Sequence, residues 1–127
     1  MQPTLEEFVS WPTPQIAQYV REKGTLTLMD ALRKMTLMPA QVLERSTPAG
    51  HQKGRLQEGA DADIVVFDPA TIRDEATFQK PMEPSVGVRY LLVGGTVLVD
   101  EGKVIPNVFP GRALVGPGKA IPTKGIR

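Results

Sequence analysis

The chain has 127 residues and a mass of 13.8 kDa, one domain's worth of polypeptide, long enough to bury roughly two thirds of the surface its unfolded form would expose. Fifteen basic side chains stand against fourteen acidic ones for a formal net charge of +1, and no basic block is interleaved with aromatics, which disfavours nucleic acid as a partner. The absence of cysteine excludes disulfides, thiolate metal sites and a cysteine nucleophile together, and it suits a reducing, cytoplasmic setting.

Twelve Gly and twelve Pro demand many turns, so the elements are expected to be short. The N-terminal stretch MQPTLEEFVSW has no basic region followed by an apolar one, and no apolar run approaches the ~18 residues a membrane span needs. Secretion and membrane insertion are both disfavoured.

In chain order, the first half reads as helical. Thr13 followed by Pro14 has the pattern of an N-cap and first helical position; Ile16, Tyr19 and Val20 fall on one face, and Arg21, Lys23 and Gly24 supply a cationic last turn and a stop. In TLTLMDALRKMT, Thr27 with Asp30 three residues on resembles a capping box, and Leu28, Ala31, Leu32 and Met35 make one apolar stripe. Pro39 then opens a third helical segment, PAQVLER, a few residues later. Helices this short are marginal alone and must pack on something. Arg21, Arg33 and Lys34 read as solvated helix faces.

The period changes after the polar turn STPAGHQKG. GRLQEG, DADIVVFD and VRYLLVGGTVLVDEGKVIP are rich in Val, Ile, Leu and aromatics and punctuated by glycine, so they read as strands. Gly94 and Gly95 separate two apolar runs and can take positive φ at both centres of a type I′ turn, which predicts a hairpin. DEGK, Asp100 to Lys103, makes another tight turn before Val104 and Ile105, extending the hairpin to a three-stranded meander. Between the first strand and the hairpin lies a long, proline-punctuated connection with room for one helical turn. From Pro110 the chain carries Pro, Gly and scattered cations and is expected to trail over the surface.

Little in this pattern carries chemistry. Asp61 and Asp63 lie two apart, so in a strand they point to one side about 7 Å from each other and could share a hard cation such as calcium. Two carboxylates are too few, and no EF-hand loop follows them; polar residues that bond backbone amides commonly open a buried strand. His51 is the single histidine, in a Gly-, Pro- and Lys-rich turn, whereas the usual zinc site without cysteine needs more than one. Ser46 or Ser85 with His51 and an aspartate would lack the G-x-S-x-G elbow that positions a nucleophile, and no P-loop or G-x-G-x-x-G opens a helix. No catalytic, cofactor-binding or metal-binding residue is therefore assigned. The residues by themselves describe an α+β piece with short helices and a β-meander.

The order of motifs says more. A helix ending in KMTLMPAQVLE, then GRLQEGADADIVVFDP, a loop, GVRYLLVGGTVLVDEGK and PGRAL resembles the C-terminal end of the metal-dependent amidohydrolase superfamily, from about Tyr19 to Leu114. DPATIRDEATFQKP, the LLVGGTVLVDEGK hairpin and YVREKGTLTLMDALRKMTLMPA are similar to N-acyl-D-amino-acid deacylases, the D-aminoacylases. Where that group often carries a His-Pro-Arg stretch ahead of its YVRE-like helix, this chain reads VSWPTPQ, which marks a divergent branch.

The resemblance implies a (β/α)8 barrel with a mono- or dinuclear zinc site and a small composite β-sandwich built from both ends of the chain. It implies residues 1–50 as a helical segment matching the last barrel helices, 51–110 as antiparallel sandwich strands and 111–127 as a flexible tail. The family's metal and catalytic residues would all precede Met1, so the chain is expected to be a C-terminal fragment or subunit of a zinc-dependent hydrolase of N-acyl-D-amino acids, inactive alone, with zinc held by the intact parent. In that parent, zinc-activated water attacks the amide carbonyl while an aspartate shuttles the proton. The expected partner is a missing N-terminal barrel chain, or a second copy through an open strand edge. The competing reading is a non-catalytic interaction module derived from the sandwich.

Overall fold

The structure is a computed structural model that describes residues 15–81 and 83–116. Three short helices and one antiparallel sheet follow one another in sequence, an α+β arrangement. The helices are α1 (Gln15–Glu22), α2 (Leu28–Met35) and α3 (Leu37–Leu43), followed by a 3-10 turn, Pro48–Gln52. The strands are β1 (Ile64–Phe67), β2 (Val88–Val93), β3 (Thr96–Asp100) and β4 (Lys103–Val104), in the spatial order β1-β2-β3-β4.

Helix α1 differs from the regular helix its apolar spacing predicts. It is a π-helix, and Lys23 N–H bonds Gln18 C=O five residues back at 2.7 Å. An i→i+5 winding returns residue 21 close to the azimuth of residue 16, where a 3.6-residue turn would leave it on the far side. Ile16 is buried, and Arg21 is accordingly not a free solvated cation: its Nη1 donates to Pro69 C=O at 3.0 Å and Ile72 C=O at 2.9 Å. The expected cap at Thr13 and Pro14 lies outside the described residues; the stop at Gly24, with φ +60°, is where the pattern places it.

Helix α2 starts on Thr27 as expected. Its hydroxyl accepts from Asp30 N–H at 3.1 Å and donates to the Asp30 carboxylate at 2.7 Å. Helix α3 begins at Leu37, two residues before Pro39, so Thr36 alone separates the two helices. Proline lacks the N–H that would carry the ladder from α2 into α3, which explains the break. Ala31 on α2 and Ala40 on α3 are the buried contact residues, small enough for α2 to pack on both α1 and α3.

The sheet is a meander of one more strand than the predicted three, because β1 pairs with β2. Ile64 faces Leu92 and Val66 faces Tyr90, with a bulge before Phe67; a second bulge lies at Leu91/Leu92 against β3. Gly94 and Gly95 have φ +54° and +79°, the two positive values a type I′ turn requires. GRLQEG is not a strand: Ala60 N–H bonds Gln57 C=O at 3.2 Å in a turn, and Leu56 is 80% exposed. Leu56 is its one large apolar side chain and no strand among the described residues lies beside it, so the stretch has little β propensity and no pairing partner to enforce a strand.

Among the described residues the buried apolar side chains are few: Ile16, Ala17, Ala31, Ala40 and Ile72. Helices and sheet meet through the β1–β2 connection, where Ile72 is buried and Ile72 N–H closes a turn on Asp68 C=O at 2.9 Å. Asp68 caps that turn by accepting from Ala70 N–H at 2.9 Å and the Thr71 hydroxyl at 3.0 Å, which lowers its carboxyl below the ordinary range. Large apolar side chains remain on the surface, among them Met29, Val42, Val104 and Phe109, the last 89% exposed.

Candidate functional site

Among the described residues, a network of charged side chains lies between the turn that follows α3 and the β2–β3 turn. The 3-10 turn ends at Lys53, whose N–H bonds Gly50 C=O at 3.1 Å. Its backbone C=O accepts from Arg55 Nε at 3.0 Å, and the Arg55 guanidinium pairs with Glu44 at the end of α3. His51 Nδ1 is 3.6 Å from the other oxygen of Glu44. These contacts fix the root of the Lys53 side chain from two directions.

From that root the Lys53 ammonium reaches both acids of the strand entrance. It lies 2.9 Å from Asp61 Oδ2 and 2.5 Å from Asp63 Oδ2. Asp63 Oδ1 accepts from Gly94 N–H at 2.8 Å, while Gly95 N–H bonds Ala62 C=O at 3.0 Å, so the loop before β1 is stitched to the hairpin turn twice. Asp63 therefore does what an acid at a strand's mouth is expected to do, satisfying a backbone donor. The Lys53 hydrogen bond, then that from Gly94, holds the Asp63 carboxyl below its ordinary value, and the hydrogen bonds to Asp63 and Asp61 raise the Lys53 pKa.

This triad borders a cleft of about 650 Å³. One wall is the loop from Ala60 to Asp63 with the hairpin turn; the other is the segment from Phe109 to Leu114. That segment is anchored by Thr47, a buried residue whose hydroxyl donates to Val115 C=O at 2.7 Å. Small side chains at Ala49, Ala60, Ala62 and Ala113 leave the space open. Arg112 is the other cation on its wall, so Lys53, Arg112, Asp61 and Asp63 balance in charge.

The donor set does not fit a zinc ion. Among the described residues no three His, Cys, Asp or Glu side chains gather as a metal site, and the point where Asp61 and Asp63 converge is filled by an ammonium group. His51 turns to Glu44 and Ser85 Oγ to Asp74 at 3.4 Å, so the histidine and this serine engage different partners. Sequence reasoning found the two acids but not Lys53, Arg55 or Arg112. The available signal for Lys53 was a cation in a polar turn eight and ten residues ahead of the two acids, too far apart for any local pairing rule.

Residues 4–99 match the amidohydrolase family. The chain belongs to that family. The chain is 40% identical over 102 residues to an N-acyl-D-glutamate deacylase of Alcaligenes xylosoxydans xylosoxydans, an alignment covering 80% of this chain and 20% of that protein. It is 41% identical over 99 residues to a D-aminoacylase of the same organism, covering 78% and 19%. In three dimensions it is similar to the crystal structure of the N-acyl-D-glutamate deacylase of Bordetella bronchiseptica, complexed with zinc and a phosphonate mimic of the tetrahedral intermediate. That likeness has a TM-score of 0.61 and 39% identity and covers 73% of this chain and 18% of that one. The chain thus spans about one fifth of the length of the relatives it matches. No helix among the described residues is long and apolar enough to cross a membrane.

Proposed function

We propose that this amidohydrolase segment is the supporting part of a metal-dependent N-acyl-D-amino-acid deacylase, holding a sheet and a helical hairpin against a barrel that carries the zinc and the substrate. The observation that carries this reading is the identity of about two residues in five that runs through four fifths of the chain to relatives named as deacylases. In that assignment, residues 1–50 close the barrel, 51–110 form one part of a composite sandwich, and 111–127 follow as a tail. The chemistry is hydrolysis of the amide joining an acyl group to a D-amino acid. Zinc, when bound in the enzyme, supplies the Lewis acid; among the described residues no three His, Cys, Asp or Glu side chains gather to ligate it, and Asp61 and Asp63 are paired with Lys53 and Glu44 with Arg55.

The surface supports a docked role. Leu56, Met29 and Phe109 are 80%, 71% and 89% exposed, side chains that a self-sufficient domain of this size would be expected to bury. Strand β1 lies at one end of the sheet and leaves one edge unpaired among the described strands, which suits completion by another strand.

The test is zinc content and hydrolysis of N-acetyl-D-glutamate by the purified chain, alone and mixed with a relative's deacylase truncated before the matching segment. The expected result is no stoichiometric zinc and no turnover alone, with activity regained on mixing. Stoichiometric zinc with turnover in the lone chain would overturn the reading. A folded complex with the truncated deacylase that stays inactive would favour a non-catalytic interaction module.

A further inference from the structure

We infer that the cleft beside the segment from Phe109 to Leu114 takes an extended acidic peptide of another protein chain, added to that segment as a strand. The segment is held at both ends. Ile105 N–H bonds Leu98 C=O at 2.9 Å ahead of it, and the Thr47 hydroxyl bonds Val115 C=O at 2.7 Å behind it. Between these anchors, residues 106–114 enter no backbone hydrogen bond among the described residues. Their N–H and C=O groups form the kind of open edge that strand addition uses. Pro110, which has no N–H to donate, belongs on such an edge.

Charge selects the peptide's side chains. On the facing wall Lys53, Asp61 and Asp63 are engaged with one another. Arg112 is exposed and has neither an ion pair nor a hydrogen bond among the described residues. Its guanidinium is therefore the uncommitted charge of the lining, and a carboxylate is the group it grips best. Val93, Leu114, Ala62 and Ala113 supply an apolar, small-sided lining beside it, and the Phe109 ring stands 89% exposed at the same wall. A strand that alternates acids with apolar residues presents both chemistries at once. This goes beyond the deacylase reading and does not rest on it.

Calorimetric titration of the full chain tests this with the peptide acetyl-Val-Glu-Val-Glu-Val-amide, its counterpart acetyl-Val-Lys-Val-Lys-Val-amide, and the acidic peptide with its glutamate nitrogens methylated. The acidic peptide is expected to bind at least about ten times more tightly than either control. Arg112→Ala should bind it about ten times more weakly than the wild type, while Arg33→Ala, an exposed cation on α2, should leave binding unchanged. Amide NMR signals of Gly111, Arg112, Ala113 and Leu114 should shift as the peptide is added. Equal binding of the acidic and methylated peptides would mean that no strand forms, and equal binding by wild type and Arg112→Ala that the guanidinium selects nothing; either overturns the inference, as does the absence of binding. It is overturned equally if the chain dimerises and the dimer excludes the peptide, or if the amides of Gly111 to Leu114 are protected from exchange before any peptide is added. None of these readouts uses deacylase activity, so either reading can fail without the other.

Discussion

Asp63 is the most informative single residue to perturb, because its two oxygens do separable jobs. Oδ1 accepts from Gly94 N–H and pins the β2–β3 turn; Oδ2 pairs with Lys53 and pins the turn after the helices. The Asp63 and Lys53 side chains are 35% and 28% exposed, so solvent screens their attraction, and the ion pair contributes about 0.5 kcal/mol. The hydrogen bond from Gly94 contributes about 1 kcal/mol. Asp63→Ala loses both, for about 1.5 kcal/mol, whereas Asp63→Asn retains an acceptor for Gly94 and loses only about 0.5 kcal/mol.

The pH dependence follows from the direction of each shift. The folded Asp63 pKa lies below its ordinary 3.8, so its contribution is present above 3.8 and lost as pH falls through the folded value. The folded Lys53 pKa lies above its ordinary 10.5, so its contribution is present below 10.5 and lost as pH rises through the folded value. Urea denaturation of wild type and Asp63→Asn should therefore differ most between these limits and converge outside them. Equal destabilisation by Asn and Ala, or a wild-type advantage over Asn that persists in strong acid, would refute the division of labour between the two oxygens.

Two further perturbations probe how the parts are joined. Arg21→Ala removes both bonds from α1 to the β1–β2 connection and should cost about 1–2 kcal/mol, with amide hydrogen exchange accelerating in Gln15–Glu22 more than in β2 and β3; uniform acceleration would contradict a local strut. Gly87 has φ +90°, and a Cβ there would lie 2.4 Å from Ile72 Cα, whereas Gly94 at φ +54° has nothing within 4 Å. Gly94→Ala should cost about 1 kcal/mol of strain. Gly87→Ala should exceed about 3 kcal/mol by displacing the buried Ile72, and similar melting temperatures for the two variants would show that the connection yields.

Part of this molecule was legible in its sequence because the physics involved is local. Thr27 with Asp30, the stop at Gly24, and the paired glycines at 94 and 95 each specify backbone geometry through groups within a few residues, and a left-handed turn needs no knowledge of what lies across the fold. The one-histidine, no-cysteine composition likewise limits metal chemistry before any folding.

Tertiary structure decided everything that depends on distant groups meeting. GRLQEG reads as a strand only by its place ahead of DADIVVFD; with one apolar side chain and no strand beside it among the described residues, it turns instead. Arg21 looks like a surface cation until the π-wound α1 carries it to the carbonyls of Pro69 and Ile72. Asp61 and Asp63 have no charged partner within local sequence range, and the structure brings the Lys53 ammonium to both from the preceding turn. Ion pairs of this kind depend on the inverse of a distance that chain connectivity alone does not set, and only the folded path around the helices brings that distance to contact.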